Sequence, residues 1–384
     1  MNNNLCYEIL LTYSCNARCL FCSQGDFDKS KNAPFTQIVK EIYKAKKMGY
    51  TKLGLSGGEP TIREDLPEII KVASKIGFKS IRIQTNGIRL ADFNYAKKLK
   101  ESGLTFCKFS FVSENPKIHN MLVSRLGAWE DAVKGLENIN RLKIRLGNNI
   151  LINKFNYNKL KRLVNFLLNK GVSNFVVIYP IYIGNMFLNK KIGVPLNRCS
   201  RYFIDIVEYL EKKGLGDEIL FLNVPPCFLK KYWQSAIGLN PFNTLVTSPD
   251  GKTINLDESS NLNKKKSKVC KNCILNSKCS GINANYASIF GFKGIIPINQ
   301  EKDTKKDFSS KYLTDNEKCL IEILKIKNNI PTETVIKMAS KIPLCKDCSD
   351  GNNVINAAAR LVTKKIIEME FKNGKYFFKL KTDI

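Results

Sequence analysis

The first 180 residues alternate short apolar runs with longer amphipathic stretches, and this rhythm constrains the fold more than any other feature of the chain. Strand candidates fall at 7–11, 53–56, 80–84, 107–112, 149–153 and 175–179. Between them, apolar residues recur at helical spacing over 36–48, 66–76, 92–101, 128–141 and 157–169, with glycine at several ends. Strand–helix units of about 25–35 residues build parallel sheets through right-handed crossovers. Six units are too few for a closed eight-stranded barrel, so the expected fold class is α/β, a partial (β/α)6 barrel.

Beyond residue 185 the pattern loosens. With 384 residues the chain exceeds one ordinary core, and it divides naturally at 1–200 for the barrel, 201–309 and 310–384. The middle segment holds Pro225-Pro226, a hairpin-like TLVTSPDGKTINL, a basic run at Lys264 to Lys266 and a group of cysteines. It is expected to be a small cysteine-rich domain organised by metal. The last segment has helical spacing over 315–326, 332–340 and 354–363, then two runs, 366–371 and 376–380, around Asn373-Gly374. Three helices and a terminal hairpin suggest a winged-helix-like domain.

Composition narrows the chemistry. With 43% apolar and 25% charged residues, the chain is neither mainly disordered, collagen-like nor membrane-spanning. Its single histidine, His119, excludes sites built on several imidazoles, so any metal must rest mostly on sulfur. The opening MNNNLCYEILLTYSC has no basic segment, signal-length apolar run or small-residue cleavage site, which places the chain in a reducing cytoplasm. Thirteen cysteines there mean metal or redox chemistry rather than disulfides. The net charge of +28 has two readings. Only 11 of 62 basic residues are arginine, as AT-rich coding would produce; clustered lysines also form an electrostatic footprint for a polyanion or an acidic peptide.

Cys15, Cys19 and Cys22 form C-x3-C-x2-C just after the first strand. Three thiolates in one loop can ligate three irons of a four-iron cluster and leave the fourth open, whereas structural zinc wants a fourth ligand that does not follow locally. Together with SGGEP at Ser56 to Pro60 and QTNG at Gln84 to Gly87, CNARCLFC resembles the radical S-adenosylmethionine (SAM) enzymes, over about residues 5–200. The resemblance implies a 4Fe-4S cluster whose open iron chelates SAM, and a 5′-deoxyadenosyl radical that abstracts hydrogen from substrate. It further implies an electron donor such as flavodoxin or ferredoxin.

The cofactor-binding candidates are Ser56, Gly57, Gly58, Glu59, Thr85, Asn86, Ser110 and Lys154. Gly57 and Gly58 let backbone approach a ligand, and Glu59 with nearby carbonyls can accept from the methionyl ammonium. A cation at Lys154 suits the SAM carboxylate. Where many peptide-modifying relatives have serine-leucine-aspartate, this chain has Ser110-Phe111-Val112-Ser113. His119, with Asn120 in place of an acid, is expected to be structural.

Cys270, Cys273 and Cys279 form C-x2-C-x5-C, followed by Gly281 and Tyr286, and resemble the auxiliary-cluster (SPASM or twitch) domains of many radical SAM maturases. Cys227, preorganised by two prolines, is the expected fourth ligand, with Cys199 as the other candidate. A second 4Fe-4S cluster is expected, with zinc as the alternative. Cys345 and Cys348 form a further C-x2-C, open to zinc shared with Cys319, to redox pairing or to no role. Cys6 and Cys107 fall on strands and suit core packing.

The function expected is C–H functionalisation of a ribosomally made peptide or protein, the winged-helix-like segment making contact with it. A nucleotide, RNA or small-metabolite substrate is the alternative, as is an iron–sulfur protein that senses or binds without turnover. Nucleic acid is not favoured as a partner, and no membrane contact is expected.

Overall fold

A computed structural model describes residues 6–239, 244–299, 313, 315–339, 351–372 and 375–381. The repeated units appear as β1 (Cys6–Thr12), α1 (Phe35–Lys47), β2 (Lys52–Gly57), α2 (Leu66–Ile76), β3 (Ser80–Thr85), α3 (Phe93–Glu101), β4 (Phe106–Phe109), α4 (Pro116–Val123), α5 (Ala128–Arg141), β5 (Arg145–Leu151), α6 (Leu160–Asn169) and β6 (Asn174–Ile178). Strands β1 to β6 pair in chain order and in parallel, which is the expected partial barrel.

The helices pack on the sheet because each has one apolar face. In α2, Leu66, Ile69, Ile70 and Ala73 are buried, the spacing of a single helical stripe, and Gly77 ends the helix in the left-handed conformation. On β1, Tyr7, Ile9 and Leu11 are fully buried. The intervening positions carry a polar layer. Glu8 pairs with Arg82 at 2.5 Å and accepts from Gln84 Nε2 at 2.7 Å, and Asn149 Nδ2 donates to Gln84 Oε1 at 2.9 Å.

Two strands differ from their sequence limits by three residues or more at one end. β4 stops at Phe109 because Phe111 turns away to bond Asn148, donating to its Oδ1 and accepting from its Nδ2, each at 2.9 Å. β5 begins at Arg145, earlier than expected, since Gly147, Asn148 and Asn149 read as breakers yet lie on the strand.

After β6 come α7 (Gly184–Leu188), α8 (Leu196–Glu211), β7 (Ile219–Leu222), β8 (Thr244–Thr247), β9 (Thr253–Asn255), α9 (Leu256–Asn261), β10 (Lys264–Lys265), β11 (Ile282–Asn283) and α10 (Ala284–Phe290). Among the described residues the sheet has nine strands, ordered β7-β6-β5-β4-β3-β2-β1-β8-β9. The TLVTSPDGKTINL hairpin, expected inside the cysteine-rich segment, extends the barrel sheet instead. β8 runs parallel to β1 and occupies the edge that an incomplete barrel leaves unpaired.

The chain divides into two compact units. One comprises residues 5–206 and 220–299, and the other residues 1–4, 207–219 and 300–384. The second holds α11 (Asp315–Ile326), β12 (Ile330–Pro331), α12 (Thr332–Ala339), α13 (Gly351–Thr363), β13 (Ile367–Lys372) and β14 (Lys375–Leu380), with antiparallel strand order β12-β14-β13. Its core is Leu320, Ile323, Leu324, Ala357, Ala358, Leu361 and Phe378. Cys345, Cys348, Ser340 and the Asn373-Gly374 turn lie outside the described residues. No described helix is long and apolar enough to cross a membrane.

Candidate functional site

The loop leaving β1 carries Cys15, Cys19 and Cys22, all free thiols. Backbone bonds hold it to the end of β2: Gly58 N donates to Thr12 O at 2.7 Å and Glu59 N to Ser14 O at 2.9 Å. This contact explains the paired glycines. Gly57 has φ +124, and a Cβ on Gly58 would come within 2.0 Å of Ser14 O. The close approach that the motif needs is to the cysteine loop itself.

Glu59 is buried, and its carboxylate faces inward. Oε1 accepts from Thr61 N at 3.1 Å, Thr61 Oγ1 at 2.6 Å and Thr85 Oγ1 at 2.7 Å, while Oε2 accepts from Asn86 N at 2.7 Å. Burial pushes its carboxyl upward, against these donors, which pull it down. With both oxygens engaged, Glu59 ties the ends of β2 and β3 together.

Asn86 extends the tie to the cysteines. Its Nδ2 donates to Asn16 Oδ1 at 2.7 Å and lies 4.0 Å from Cys15 Sγ. Ser56 is buried at the end of β2, and Ser110 N donates to Thr85 O at 2.9 Å just past β4. These residues gather at the carboxyl ends of the strands, the side where parallel α/β sheets bind ligands. Lys154 follows β5; its amide donates to Ile192 O at 2.8 Å and its exposed ammonium lies 5.1 Å from the Phe155 ring. Among the described contacts it makes none with the Glu59 network.

Three residues that no motif announces hold the cysteine loop from its other sides. Asn185, on α7, donates from its amide to Cys19 O at 3.0 Å and from its backbone to Cys22 O at 2.9 Å. Asn189 Nδ2 reaches Leu20 O at 3.2 Å, and Arg125 Nη1 reaches Asn16 O at 2.8 Å. Within the loop, Asn16 is the acceptor for Asn86.

Burial pushes the Cys15 thiol up to about 11, with Glu59 and Cys22 adding to the rise. Cys19 is raised for the same reason, with Cys15 and Cys22 adding to it. Closely gathered thiols, two of which (Cys15 and Cys19) resist ionisation in one another's presence, are stabilised as thiolates by a cationic group between them. This donor set fits an iron–sulfur cluster with one open iron.

Cys227, Cys270, Cys273 and Cys279 wall one apolar cavity of about 30 Å3, with Pro226, Leu275 and Ile298. Burial and then the three neighbouring cysteines push Cys227 up to about 12. Cys199 is elsewhere, buried on α8 with Sγ 3.6 Å from Pro195 O. Among the described residues, no three Cys, His, Asp or Glu side chains converge on one metal-ion position. His119 is buried against Phe111, ring centroids 4.4 Å apart.

Comparisons with known proteins agree with this geometry. Residues 9–167 match the Radical SAM superfamily model. A GTP 3′,8-cyclase of Aquifex aeolicus is 36% identical over 176 residues, which is 43% of this chain and 53% of that protein. A probable GTP 3′,8-cyclase of Sulfolobus acidocaldarius is 30% identical over 183 residues, 46% of this chain. The chain spans only 57% of that relative's length. Among solved structures, Streptococcus suis SuiB bound to S-adenosylmethionine aligns with TM-score 0.57 and 15% identity over 77% of this chain and 76% of SuiB. Bound to precursor peptide SuiA, SuiB aligns with TM-score 0.55 and 16% identity over 75% of this chain and 67% of SuiB. Motif order, strand order and these matches coincide: the chain carries a radical SAM domain at residues 9–167.

Proposed function

We propose that the chain is an enzyme that cleaves S-adenosylmethionine reductively and functionalises a C–H bond of a ribosomally made peptide or protein, by cross-linking, epimerisation or related maturation. The observation that carries the substrate class is the reach of the structural likeness. The peptide-bound SuiB structure aligns with 75% of the chain, whereas the Sulfolobus relative covers 46%. The additional span takes in chain beyond the domain that performs SAM chemistry.

Cys15, Cys19 and Cys22 would hold a 4Fe-4S cluster, which when bound supplies the electron that cleaves the SAM sulfonium to a 5′-deoxyadenosyl radical. The chain's own residues orient the cofactor. Backbone carbonyls of Gly57 to Glu59 accept from the methionyl ammonium, and Glu59 keeps that segment in place through Thr61, Thr85 and Asn86. Ser56 and Ser110 offer hydroxyls at the neighbouring strand ends, and Lys154 offers a cation to the carboxylate. Asn86 supports the cysteine loop through Asn16.

Cys227, Cys270, Cys273 and Cys279 would hold a second 4Fe-4S cluster. The cavity between them supports this, because a lone zinc would draw four sulfurs to roughly 2.3 Å from one centre and leave no space. Zinc is the alternative. The partners proposed are a peptide or protein substrate, which would dock on β13, an edge strand of its sheet, and a flavodoxin or ferredoxin as donor.

A nucleotide substrate is the second reading, favoured by the relatives named GTP 3′,8-cyclase. Anaerobic reconstitution with SAM and dithionite tests the enzyme: 5′-deoxyadenosine above background is expected, and none would sink the proposal. Faster 5′-deoxyadenosine formation with a peptide encoded beside the gene supports the first substrate, and acceleration by GTP supports the second. Iron remaining in the Cys15→Ala/Cys19→Ala/Cys22→Ala variant is expected; zinc without iron would assign the second cysteine set to zinc.

A further inference from the structure

A second cavity lies beside the one that the four cysteines surround, and the two share the wall formed by Pro225, Pro226, Cys279 and Gly281. It opens where β7 ends, at Leu222 and Asn223, on the carboxyl side of the barrel strands where ligands enter such sheets. Its volume of about 40 Å3 exceeds the 10–15 Å3 or so that one water needs, so it takes a small polar group. The cysteine cavity is apolar, whereas this one is lined in part by polar atoms, with Asn223, Lys264 and Ser280 among its lining residues.

Lys264 is the informative residue. It sits on β10, in register with Asn283, and its side chain is partly buried. A long lysine ordinarily carries its ammonium out to water, and a withdrawn ammonium is retained where an opposite charge meets it. Among the described residues no carboxylate acts on it; the neighbour that would attract it is Cys279, and only as a thiolate. Lys266, two positions on, is directed elsewhere and donates to Asn276 O at 2.5 Å.

We infer that this cavity is an anion-binding subsite that receives a carboxylate of the substrate, with Lys264 as its cation and the Ser280 hydroxyl as its second donor. One ammonium and one hydroxyl match the single charge of a carboxylate, whereas a phosphate dianion calls for more cationic donors. The word substrate rests on the function proposed above; the subsite itself does not. Placed next to the second cysteine set, it would anchor an Asp or Glu side chain or a C-terminal carboxylate and so fix which part of a peptide faces the barrel mouth.

The test is thermal unfolding and calorimetric titration of the anaerobically reconstituted full chain with succinate and, separately, with inorganic phosphate. Succinate is expected to bind saturably to the native chain and to Lys264→Arg, and about tenfold more weakly to Lys264→Gln. Iron per chain should be the same in all three. Ser280→Ala, a gentler change, should weaken succinate about threefold. The inference is overturned if succinate does not bind, if Lys264→Gln binds it as well as the native chain, if phosphate binds more tightly in a Lys264-dependent way, or if Lys264→Gln loses iron together with succinate. The last outcome would assign the lysine to the cysteines instead. Binding is read without turnover, so a chain that binds succinate but forms no 5′-deoxyadenosine keeps the subsite and loses the enzyme proposal.

Discussion

Gly58, Glu59 and His119 show what single residues decide. Gly58 lies so close to Ser14 O that a methyl group there must displace the cysteine loop or the end of β2. Gly58→Ala is expected to cost about 2–3 kcal/mol and to lower the iron retained per chain, measured by urea unfolding and iron analysis. Glu59 was legible from its motif as part of the site, but its direction was not, since a motif does not say which of several nearby donors a carboxylate will reach. His119 is the single histidine, and burial holds it down to about 4. The unfolded chain takes up that proton near pH 6.5, so stability falls as pH drops below 6.5 towards 4 and is unaffected by this group above it. Between pH 7 and 5 the loss is about 2 kcal/mol. His119→Phe removes this share of the slope; identical slopes in denaturant titrations of the two proteins would contradict the assignment.

At the scale of elements, α7 is the piece whose role nothing in its sequence marks. GNMFL is a short apolar turn with Asn185 inside it and Asn189 just beyond. These two amides and one backbone N–H hold the carbonyls of Cys19, Leu20 and Cys22. Asn185→Ala removes one of those bonds while the backbone bond to Cys22 persists. A loss of about 1 kcal/mol is expected, with faster iron release to chelator and an altered electron paramagnetic resonance signal of the reduced protein. Unchanged release in both Asn185→Ala and Asn189→Ala would show that the loop holds itself. The β8–β9 hairpin makes a related point. Its Pro-Asp-Gly turn was visible, but pairing with β1 follows from the open edge of a partial barrel, which no local pattern records.

At the scale of the whole molecule, each compact unit has its own internal supports. In the unit containing the terminal helices, Arg360 pairs with Asp217, and fully buried Glu317 pairs with Lys364 at 2.8 Å and Arg360 at 3.5 Å. Among the described residues, two carboxylates and two cations meet there. Arg360→Ala removes a cation that pairs with both acids, Glu317 among them fully buried, and a loss of about 3 kcal/mol is expected in thermal unfolding, with Arg360→Lys restoring part of it. The sequence by itself determined the strand–helix order, the partial barrel and the two cysteine groups, because hydrophobic period and ligand spacing are local properties of the chain. Only the tertiary structure decided that Cys227 rather than Cys199 lines one cavity with the second group, that Glu59 turns inward, and that α7 grips the cysteine loop. Each of those depends on which distant segments meet when the strands are laid side by side, and sequence separation does not encode that distance.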